Sequence, residues 1–389
     1  MKRAAFRAPG RVNLIGEHTD YNGGFVLPAA IHLGTIAEAS LRSDEQLVIH
    51  SANFSETYAF DCADVTPRGN WTDYPRGVYL QLRLAGVKLK GVHVSINGDV
   101  PLGAGLSSSA SVEVAVAAAL LDVAGEQMEP MALALLCQRA ENEFTGAQCG
   151  IMDQFISVHG AEGSAVLLDC ESLKHKVTPI PAGLILVIAN TMVKHKLAGK
   201  GRGGIVASKH SPPPQVRFAD ENLGTSGEYN LRRSECEMAA RQMDVPSLRH
   251  ATLALLQANE PKLSTAEFRR ARHNITENAR VLQFADAAAA EDLRTLGELM
   301  AASHASLRDD FEVSCSELDA MVEAAQGLPG LVGARMTGGG FGGSTINLVD
   351  SAKAEEFSIA LRHAYERRTG IAPQVIVTRA SQGVQACLI

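Results

Sequence analysis

The sequence predicts an α+β fold with more than one domain. Segments of period two, typical of half-buried strands, mix with segments of helical spacing, but strands and helices do not alternate strictly as in a doubly wound sheet. The chain has 389 residues, which suggests two domains at about 100–200 residues each. Its 46% hydrophobic and 20% charged residues are typical of a globular protein and exclude wholesale disorder.

Short apolar segments with alternating or β-like composition predict the strands. They are concentrated in the first hundred residues and return near the end of the chain. The predicted strands are 25–31, 35–40, 46–51, 91–97, 165–169, 184–190, two strands around a glycine loop within 333–349, and 374–378.

Helical spacing predicts most of the remaining elements. The segment 112–124 is rich in alanine, which favours a helix, and Gly125 can end it. Segment 198–227 differs, because it combines glycines, basic residues and three prolines without an apolar period, and we expect a loop of unusual length. The predicted helices are 74–85, 112–124, 131–144, 149–158, 230–243, 264–287, 291–307, 316–325 and 352–368.

Charge and cysteine content restrict the environment of the protein. With 36 Lys and Arg against 43 Asp and Glu, the net charge of −7 argues against a nucleic-acid partner. The seven cysteines form no C-x-x-C pair, which indicates reduced thiols rather than a disulfide framework or a zinc site. The apolar runs are too short to span a bilayer and no signal-peptide pattern is visible, so we expect a cytoplasmic protein without a membrane partner.

A glycine–serine loop, PLGAGLSSSAS at 101–111, runs directly into the alanine-rich helix. Its small residues let the backbone approach a ligand closely, and its serines place hydroxyls and N–H groups at the start of a helix, which favours anions. This chemistry suits a nucleoside triphosphate with Mg²⁺. A serine N-cap on a core helix is the alternative from this loop alone. No Walker-type phosphate loop occurs.

A polar segment at 7–24 contains Glu17, His18 and Asp20 within one turn. Such a cluster fits recognition of a polyhydroxylated ligand, because carboxylates accept hydrogen bonds from sugar hydroxyls. A solvated turn is the alternative. Two further acids stand out on predicted helices, Glu141 and Asp153. Asp153 has apolar neighbours, where an unpaired charge is costly, and a partner such as Arg11 would offset that cost.

A second glycine-rich segment, MTGGGFGGST at 336–345, satisfies G-x-G-x-x-G. A dinucleotide site would require this loop to open a helix within a βαβ unit. A β-like run follows it instead, so we reject that interpretation. We expect a glycine hairpin that approaches a ligand bound elsewhere.

Five segments together resemble the galactokinase family of the GHMP kinase superfamily, in the family's order and over nearly the whole chain. They are GRVNLIGEHTDYNGG, PLGAGLSSSAS, AENEFTGAQCGIMDQF, EYNLRRSEC and GARMTGGGFGGS. The resemblance implies a two-domain GHMP kinase fold with the active site in the inter-domain cleft. Residues 1–180 would form the N-terminal domain, completed by 370–389, and 181–369 would form the C-terminal domain with a long inserted loop near 198–227.

The resemblance also implies an activity, the ATP-dependent phosphorylation of galactose at its anomeric hydroxyl. This reaction gives galactose 1-phosphate and ADP and is the first committed step of galactose utilisation. We expect a monomer or a weak homo-oligomer. The implied site residues are Asp153 and Arg11 for catalysis; Glu17, His18, Thr19, Asp20, Gly150, Asp153 and Tyr229 for the sugar; Gly103, Ala104, Gly105, Leu106, Ser107, Ser108 and Ser109 for ATP; and Ser109 and Glu141 for Mg²⁺.

Two alternatives remain at this point. In the first, the chain is a kinase for another sugar. In the second, it is a non-catalytic paralogue that binds ATP and galactose as a signal. The presence of Arg11, Glu141 and Asp153, together with the complete serine loop, argues against the second alternative.

Overall fold

The computed structural model describes residues 3–64, 66–194 and 218–387. Within these ranges the strands form three sheets of six, four and three strands, and helices pack against them. Almost all strand pairs are antiparallel, as the α+β prediction requires. The fold class is therefore confirmed.

The strands and helices have the following bounds. The strands are Arg3–Asn13 (β1), Phe25–Val26 (β2), Pro28–Leu41 (β3), Gln46–Ser51 (β4), Glu56–Asp61 (β5), Val92–Gly98 (β6), Ser164–Asp169 (β7), His175–Pro179 (β8), Leu184–Lys194 (β9), Leu331–Thr337 (β10), Gly342–Asp350 (β11), Gln374–Thr378 (β12) and Gln385–Ala386 (β13). The helices are Asp73–Leu84 (α1), Ser108–Ala124 (α2), Pro130–Ala140 (α3), Met152–His159 (α4), Phe218–Gln242 (α5), Leu253–Ala258 (α6), Thr265–Ala289 (α7), Leu293–Asp309 (α8), Ser316–Ala325 (α9) and Ala354–Thr369 (α10).

The six-stranded sheet has the order β13-β1-β3-β6-β4-β5, and only its β4–β6 pair is parallel. Its core is apolar and closely packed, with Val114 and Leu120 of α2 and Leu82 of α1 fully buried. The register of β1 against β3 shifts between Pro9 and Arg11. Such a bulge bends a strand and changes the direction of its side chains, and Arg11 is the first residue paired after it, opposite Ala30.

The four-stranded sheet has the order β10-β11-β9-β12, with α9 and α10 packed against it. The C-terminal segment divides between two sheets, because β12 pairs with β9 while β13 pairs with β1. Residues 374–378 therefore belong to the four-stranded sheet, and residues 385–386 return to the sheet that holds β1. The division of the chain into two domains at residues 180 and 370 stays a prediction.

The structure describes only part of the predicted loop at 198–227. Residues 198–217 lie outside the described residues, whereas 218–227 form the first turns of α5, so the prediction was wrong for those ten positions. Adding residues to an existing helix needs no new nucleus. The part of α5 that packs against α7 can therefore extend the helix through a segment of poor propensity.

All seven cysteines are unpaired in the structure. Among the helices that the structure describes, none has the length and apolar character needed to cross a bilayer.

Candidate active site

Three separate segments meet around the side chain of Arg11. Its guanidinium donates from Nε and Nη2 to the two carboxylate oxygens of Asp153, each at 2.7 Å. Its Nη1 donates to the carbonyl oxygen of Gly105 at 2.6 Å. The ion pair is mostly buried, with side-chain exposures of 6% for Arg11 and 25% for Asp153. The predicted partnership of these two residues is confirmed, and it joins the polar segment, the glycine–serine loop and α4.

The glycine–serine loop ends at the first turn of α2, as predicted. Gly103 and Gly105 have positive φ angles, and Ser107 has φ 55°, a left-handed conformation that is uncommon for serine. The Ser107 hydroxyl does not cap the helix, because it donates to Asp153. Ser107 therefore contacts the predicted catalytic carboxylate, in addition to its predicted place in the ATP loop.

Ala104 and Leu106 contribute to this loop through their backbone. Both side chains are only 1% exposed and pack in an apolar cluster beneath the loop. An ATP contact by either side chain is therefore excluded in this conformation. Gly103 and the serines at 108 and 109 keep their place in the ATP prediction, because they lie at or beside the start of α2.

The second glycine-rich segment forms the turn between β10 and β11 and packs on both other motifs. A Cβ atom on Gly338 would lie 2.8 Å from the Gly105 carbonyl oxygen, so only glycine fits there. Ser344 donates to the Ala104 carbonyl oxygen at 2.7 Å. The Gly338 N–H donates to Glu17 at 3.1 Å. The predicted glycine hairpin thus supports the site rather than opening a nucleotide-binding helix.

The two predicted Mg²⁺ ligands lie beside each other. Glu141 begins a π-helical turn, Glu141–Thr145, directly after α3, and π turns are frequent at functional sites. The Ser109 hydroxyl hydrogen-bonds to the Glu141 carboxylate. Burial and the neighbouring charge of Asp153 raise the pKa of Glu141 above its usual range, so a cation at this position would be stabilised.

A magnesium ion fits this pair by its donor chemistry. Mg²⁺ prefers oxygen ligands and usually binds one or two protein groups together with substrate phosphates and water. Ser109 and Glu141 supply one hydroxyl and one carboxylate. The described ranges contain no group of three or more His, Cys, Asp or Glu that could hold a metal ion.

Asp20 lies directly against Gly150, at the start of the segment that leads into α4. A Cβ atom on Gly150 would lie 2.0 Å from Asp20 Oδ2, so any other residue there would displace the Asp20 side chain. Burial and the nearby charge of Asp153 raise the pKa of Asp20 to about 6. Two carboxylates from distant segments thus approach the same region.

His18 links the polar segment to the second glycine-rich segment. Because a carbonyl oxygen can only accept, the His18 Nε2–H donates to Gly339 at 3.2 Å, and Nδ1 accepts from the Tyr21 hydroxyl at 2.9 Å. Burial and the charge of His273 lower the pKa of His18 to about 3, so its ring is neutral. The Tyr229 ring lies beside it, with centroids 5.4 Å apart.

Glu17 is 2% exposed and is surrounded by donors from the protein. Asn13 donates to one carboxylate oxygen at 3.0 Å, and Arg335 forms an ion pair with the same oxygen. Thr337 and the Gly338 N–H donate to the other oxygen, each at 3.1 Å. Glu17 therefore fixes β10 and its turn against the polar segment, and its direct contact with a sugar stays a prediction.

Thr19 turns away from the other polar residues of its segment. It is fully buried, and its hydroxyl lies 2.8 Å and 2.6 Å from the carbonyl oxygens of Gly16 and Phe25. This hydroxyl therefore stabilises the turn from inside, and the place of Thr19 in the sugar site stays a prediction.

The comparisons with known proteins agree with this arrangement. Family models match as the galactokinase galactose-binding signature at residues 2–41, the GHMP kinases N terminal domain at 73–161 and the GHMP kinases C terminal domain at 284–367. Galactokinases of Mannheimia succiniciproducens and Pasteurella multocida are 40% and 41% identical, each covering 98% of this chain and 94% of the relative. The chain belongs to the galactokinase family.

Solved structures extend the comparison to the fold. A galactokinase of Lactococcus lactis, crystallised with galactose, matches with a TM-score of 0.87 at 36% identity, over 99% of this chain and 95% of that chain. A mevalonate kinase matches with a TM-score of 0.64 at 16% identity, over 96% and 98% of the two chains, and supports the fold alone. The predicted GHMP kinase fold is confirmed.

Three buried residues of this galactokinase-family site were not predicted from the sequence. They are Glu113 on α2, Gln154 on α4 and Arg335 on β10. Each is fully buried or nearly so, and each holds a predicted site residue or its neighbour. A signal was available for two of them, because Glu113 and Arg335 are single charges within apolar or glycine-rich segments, where an unpartnered charge is costly.

Proposed function

We propose that this chain transfers the γ-phosphoryl group of ATP to the anomeric hydroxyl of galactose, giving galactose 1-phosphate and ADP. The observation that carries the proposal is the two-point ion pair between Arg11 and Asp153, because it brings the polar segment and the glycine–serine loop to one carboxylate. The similarity to galactokinases over nearly the whole chain supports the same conclusion.

Asp153 is the residue assigned to the acceptor hydroxyl. The anomeric oxygen attacks the γ-phosphorus, the bond from that phosphorus to the bridging oxygen of ADP breaks, and the hydroxyl proton passes to Asp153. Phosphoryl transfer is loose, so the base needs little strength, and positioning with charge neutralisation dominates. Arg11 and Ser107 hold the carboxylate in one orientation, and the Arg11 charge would stabilise negative charge on the group being transferred.

The sugar is assigned to the region between Asp20 and Asp153. The Asp20 carboxylate accepts hydrogen bonds from sugar hydroxyls, and Gly150 leaves room for that carboxylate. The neighbouring rings of His18 and Tyr229 would line this region on one side. Glu17 acts mainly by fixing the backbone of the polar segment, because both of its oxygens accept hydrogen bonds from protein donors.

The nucleotide phosphates are assigned to the loop from Gly103 to Ser109. Backbone N–H groups at a helix start and in a glycine-rich loop suit phosphate oxygens. Ser109 and Glu141 would hold Mg²⁺ at its edge. When bound there, Mg²⁺ neutralises the charge on the phosphate oxygens and lowers the barrier to transfer.

An ADP-release assay with a panel of sugars tests the proposal. We expect ATP-dependent turnover with galactose that exceeds turnover with N-acetylgalactosamine or arabinose, and a product in which the anomeric carbon carries the phosphate. Turnover with another sugar of the panel would change the substrate. Binding of galactose and ATP without any ADP release would identify a non-catalytic binder.

A further inference from the structure

Gln154 follows Asp153 in α4 and connects two buried acids. Its side chain is fully buried, and its amide nitrogen donates to Glu141 at 2.5 Å and to Glu113 at 3.0 Å. A carboxamide nitrogen carries two hydrogens, so both bonds can exist together. One side chain therefore ties the π turn after α3 to α2.

Glu113 on α2 is the second acid that accepts a hydrogen bond from this amide. It lies one helical turn after Ser109 and is fully buried. Its Oε1 atom and the Oε1 atom of Gln154 are both buried and have no hydrogen-bond partner among the described residues. Burial and the charge of Glu141 raise the pKa of Glu113 well above its usual range.

A protonated Glu113 would offer a hydrogen to the unpartnered Gln154 oxygen. A carboxylic acid and a carboxamide can pair through two hydrogen bonds, with the acid carbonyl accepting from the amide N–H and the acid O–H donating to the amide oxygen. This pairing uses the Gln154 hydrogen next to its own oxygen. The other amide hydrogen is then available to Glu141, whose carboxylate lies 2.5 Å from the same nitrogen.

We propose that Gln154 is a positioning residue which, held by Glu113, fixes the Glu141 carboxylate in the orientation that meets the metal ion. The inference rests on the proposed function, because it takes Glu141 as a Mg²⁺ ligand. Groups that hydrogen-bond to metal ligands orient them, and their loss usually weakens metal binding markedly.

The test measures metal binding directly. Mn²⁺ is titrated in the presence of ADP, and the signal of free Mn²⁺ in electron paramagnetic resonance gives its affinity. Gln154→Met keeps the length of the side chain but removes its donors, and we expect Mn²⁺ affinity to fall about 10–100-fold. Galactose affinity, measured by calorimetry, should not change, which confirms that the variant is folded. Gln154→Asn withdraws the amide by one methylene and should also weaken Mn²⁺ binding.

Gln81 offers a matched control. It is a buried glutamine whose amide donates to Glu143 at 2.7 Å, two residues beyond Glu141. Gln81→Met removes the same kind of bond, and we expect its Mn²⁺ affinity to equal that of the unmodified protein. Equal losses in Gln81→Met and Gln154→Met would overturn the inference, because a general loosening of the π turn would then explain both.

Variants of the two acids separate this inference from the proposed function. Glu113→Gln preserves a neutral group that can pair with the Gln154 amide, so Mn²⁺ affinity should persist, whereas Glu113→Leu should reduce it. If Glu141→Gln abolishes Mn²⁺ binding but Gln154→Met leaves it intact, the positioning role is wrong. If Glu141→Gln leaves Mn²⁺ binding intact, the metal assignment in the proposed function is wrong instead.

Discussion

Arg11 and Asp153 are 142 positions apart in the chain, yet two parallel hydrogen bonds of 2.7 Å join their side chains. Paired bonds between a guanidinium and a carboxylate fix direction as well as distance. The remaining terminal nitrogen of Arg11 is committed to Gly105. A displacement of the glycine–serine loop is therefore transmitted to the carboxylate that we assign to the acceptor hydroxyl.

The Asp153 carboxylate should be required for turnover but not for folding. Asp153→Asn keeps the shape of the side chain and removes its negative charge, and we expect kcat to fall at least about 10²-fold, in line with general-base contributions. Steady-state kinetics give kcat, and calorimetry with galactose gives the affinity. Full turnover with intact galactose binding would refute the catalytic role.

Replacing Arg11 by lysine should show whether direction matters beyond charge. Arg11→Lys retains the positive charge but cannot donate to both Asp153 oxygens and to Gly105 at once. We expect kcat to fall about 10²-fold, comparable with the loss of one oriented donor at an active site. A lysine variant with unchanged kcat would mean that a point charge suffices.

A methyl group on Gly150 should disturb sugar binding through Asp20. The added Cβ would lie 2.0 Å from an Asp20 oxygen, so the carboxylate must move. Loss of one charged hydrogen bond, about 1.5–3 kcal/mol, predicts that Gly150→Ala raises the KM for galactose roughly 10–100-fold. Gly227→Ala is the control, because a Cβ atom there meets no atom of the described residues within 4 Å. An equal KM in both variants would contradict the close approach.

Galactose affinity should weaken as the pH falls through about 6. Burial and the charge of Asp153 raise the pKa of Asp20 to about 6, so the carboxylate that accepts from the sugar is ionised above this pH and protonated below it. Calorimetric affinities should be constant near pH 8 and fall by about tenfold per unit well below pH 6. Asp20→Asn should bind weakly and without this pH dependence. A profile of Asp20→Asn that still bends at pH 6 would assign the titration to another group.

Thr19 should matter for stability and not for the substrate. Thr19→Val keeps the volume but leaves two buried carbonyl oxygens, on Gly16 and Phe25, without the hydroxyl. We expect a loss of about 1–3 kcal/mol in the free energy of unfolding, measured by urea titration. The KM for galactose should stay unchanged. A raised KM at unchanged stability would instead support Thr19 as a sugar contact.

Asp153 could be singled out from the sequence because a charge in its setting is costly without a partner. Asp153 among apolar neighbours required a cation, and Arg11 supplies it. Thr19 could not be separated from Asp20 in this way, because the side chains of adjacent turn residues point in different directions and only the fold decides which faces inward. Gln154 gave no signal, since an uncharged polar residue at a helix start is ordinary.

Helices and strands were predicted best where burial of one face gives the apolar residues a regular spacing. The helix Ser316–Ala325 and the strands Gln46–Ser51 and Gln374–Thr378 have the predicted bounds. Strands Glu56–Asp61 and His175–Pro179 were missed, because they lie at sheet edges with mostly exposed residues and so lack alternation. Helix Phe218–Gln242 began earlier than predicted because its first turns extend a helix already formed by packing.

Strand β1, which carries Arg11, has β13 as its neighbour on one side, and β13 lies at residues 385–386. Synthesis proceeds from the N-terminus, so this side of β1 stays uncovered until residue 386 has been made. Until then its unpaired N–H and C=O groups can attract other strands. A chain interrupted before residue 385 would therefore keep this edge open beside Phe6 and Arg7, in the strand that also carries Arg11.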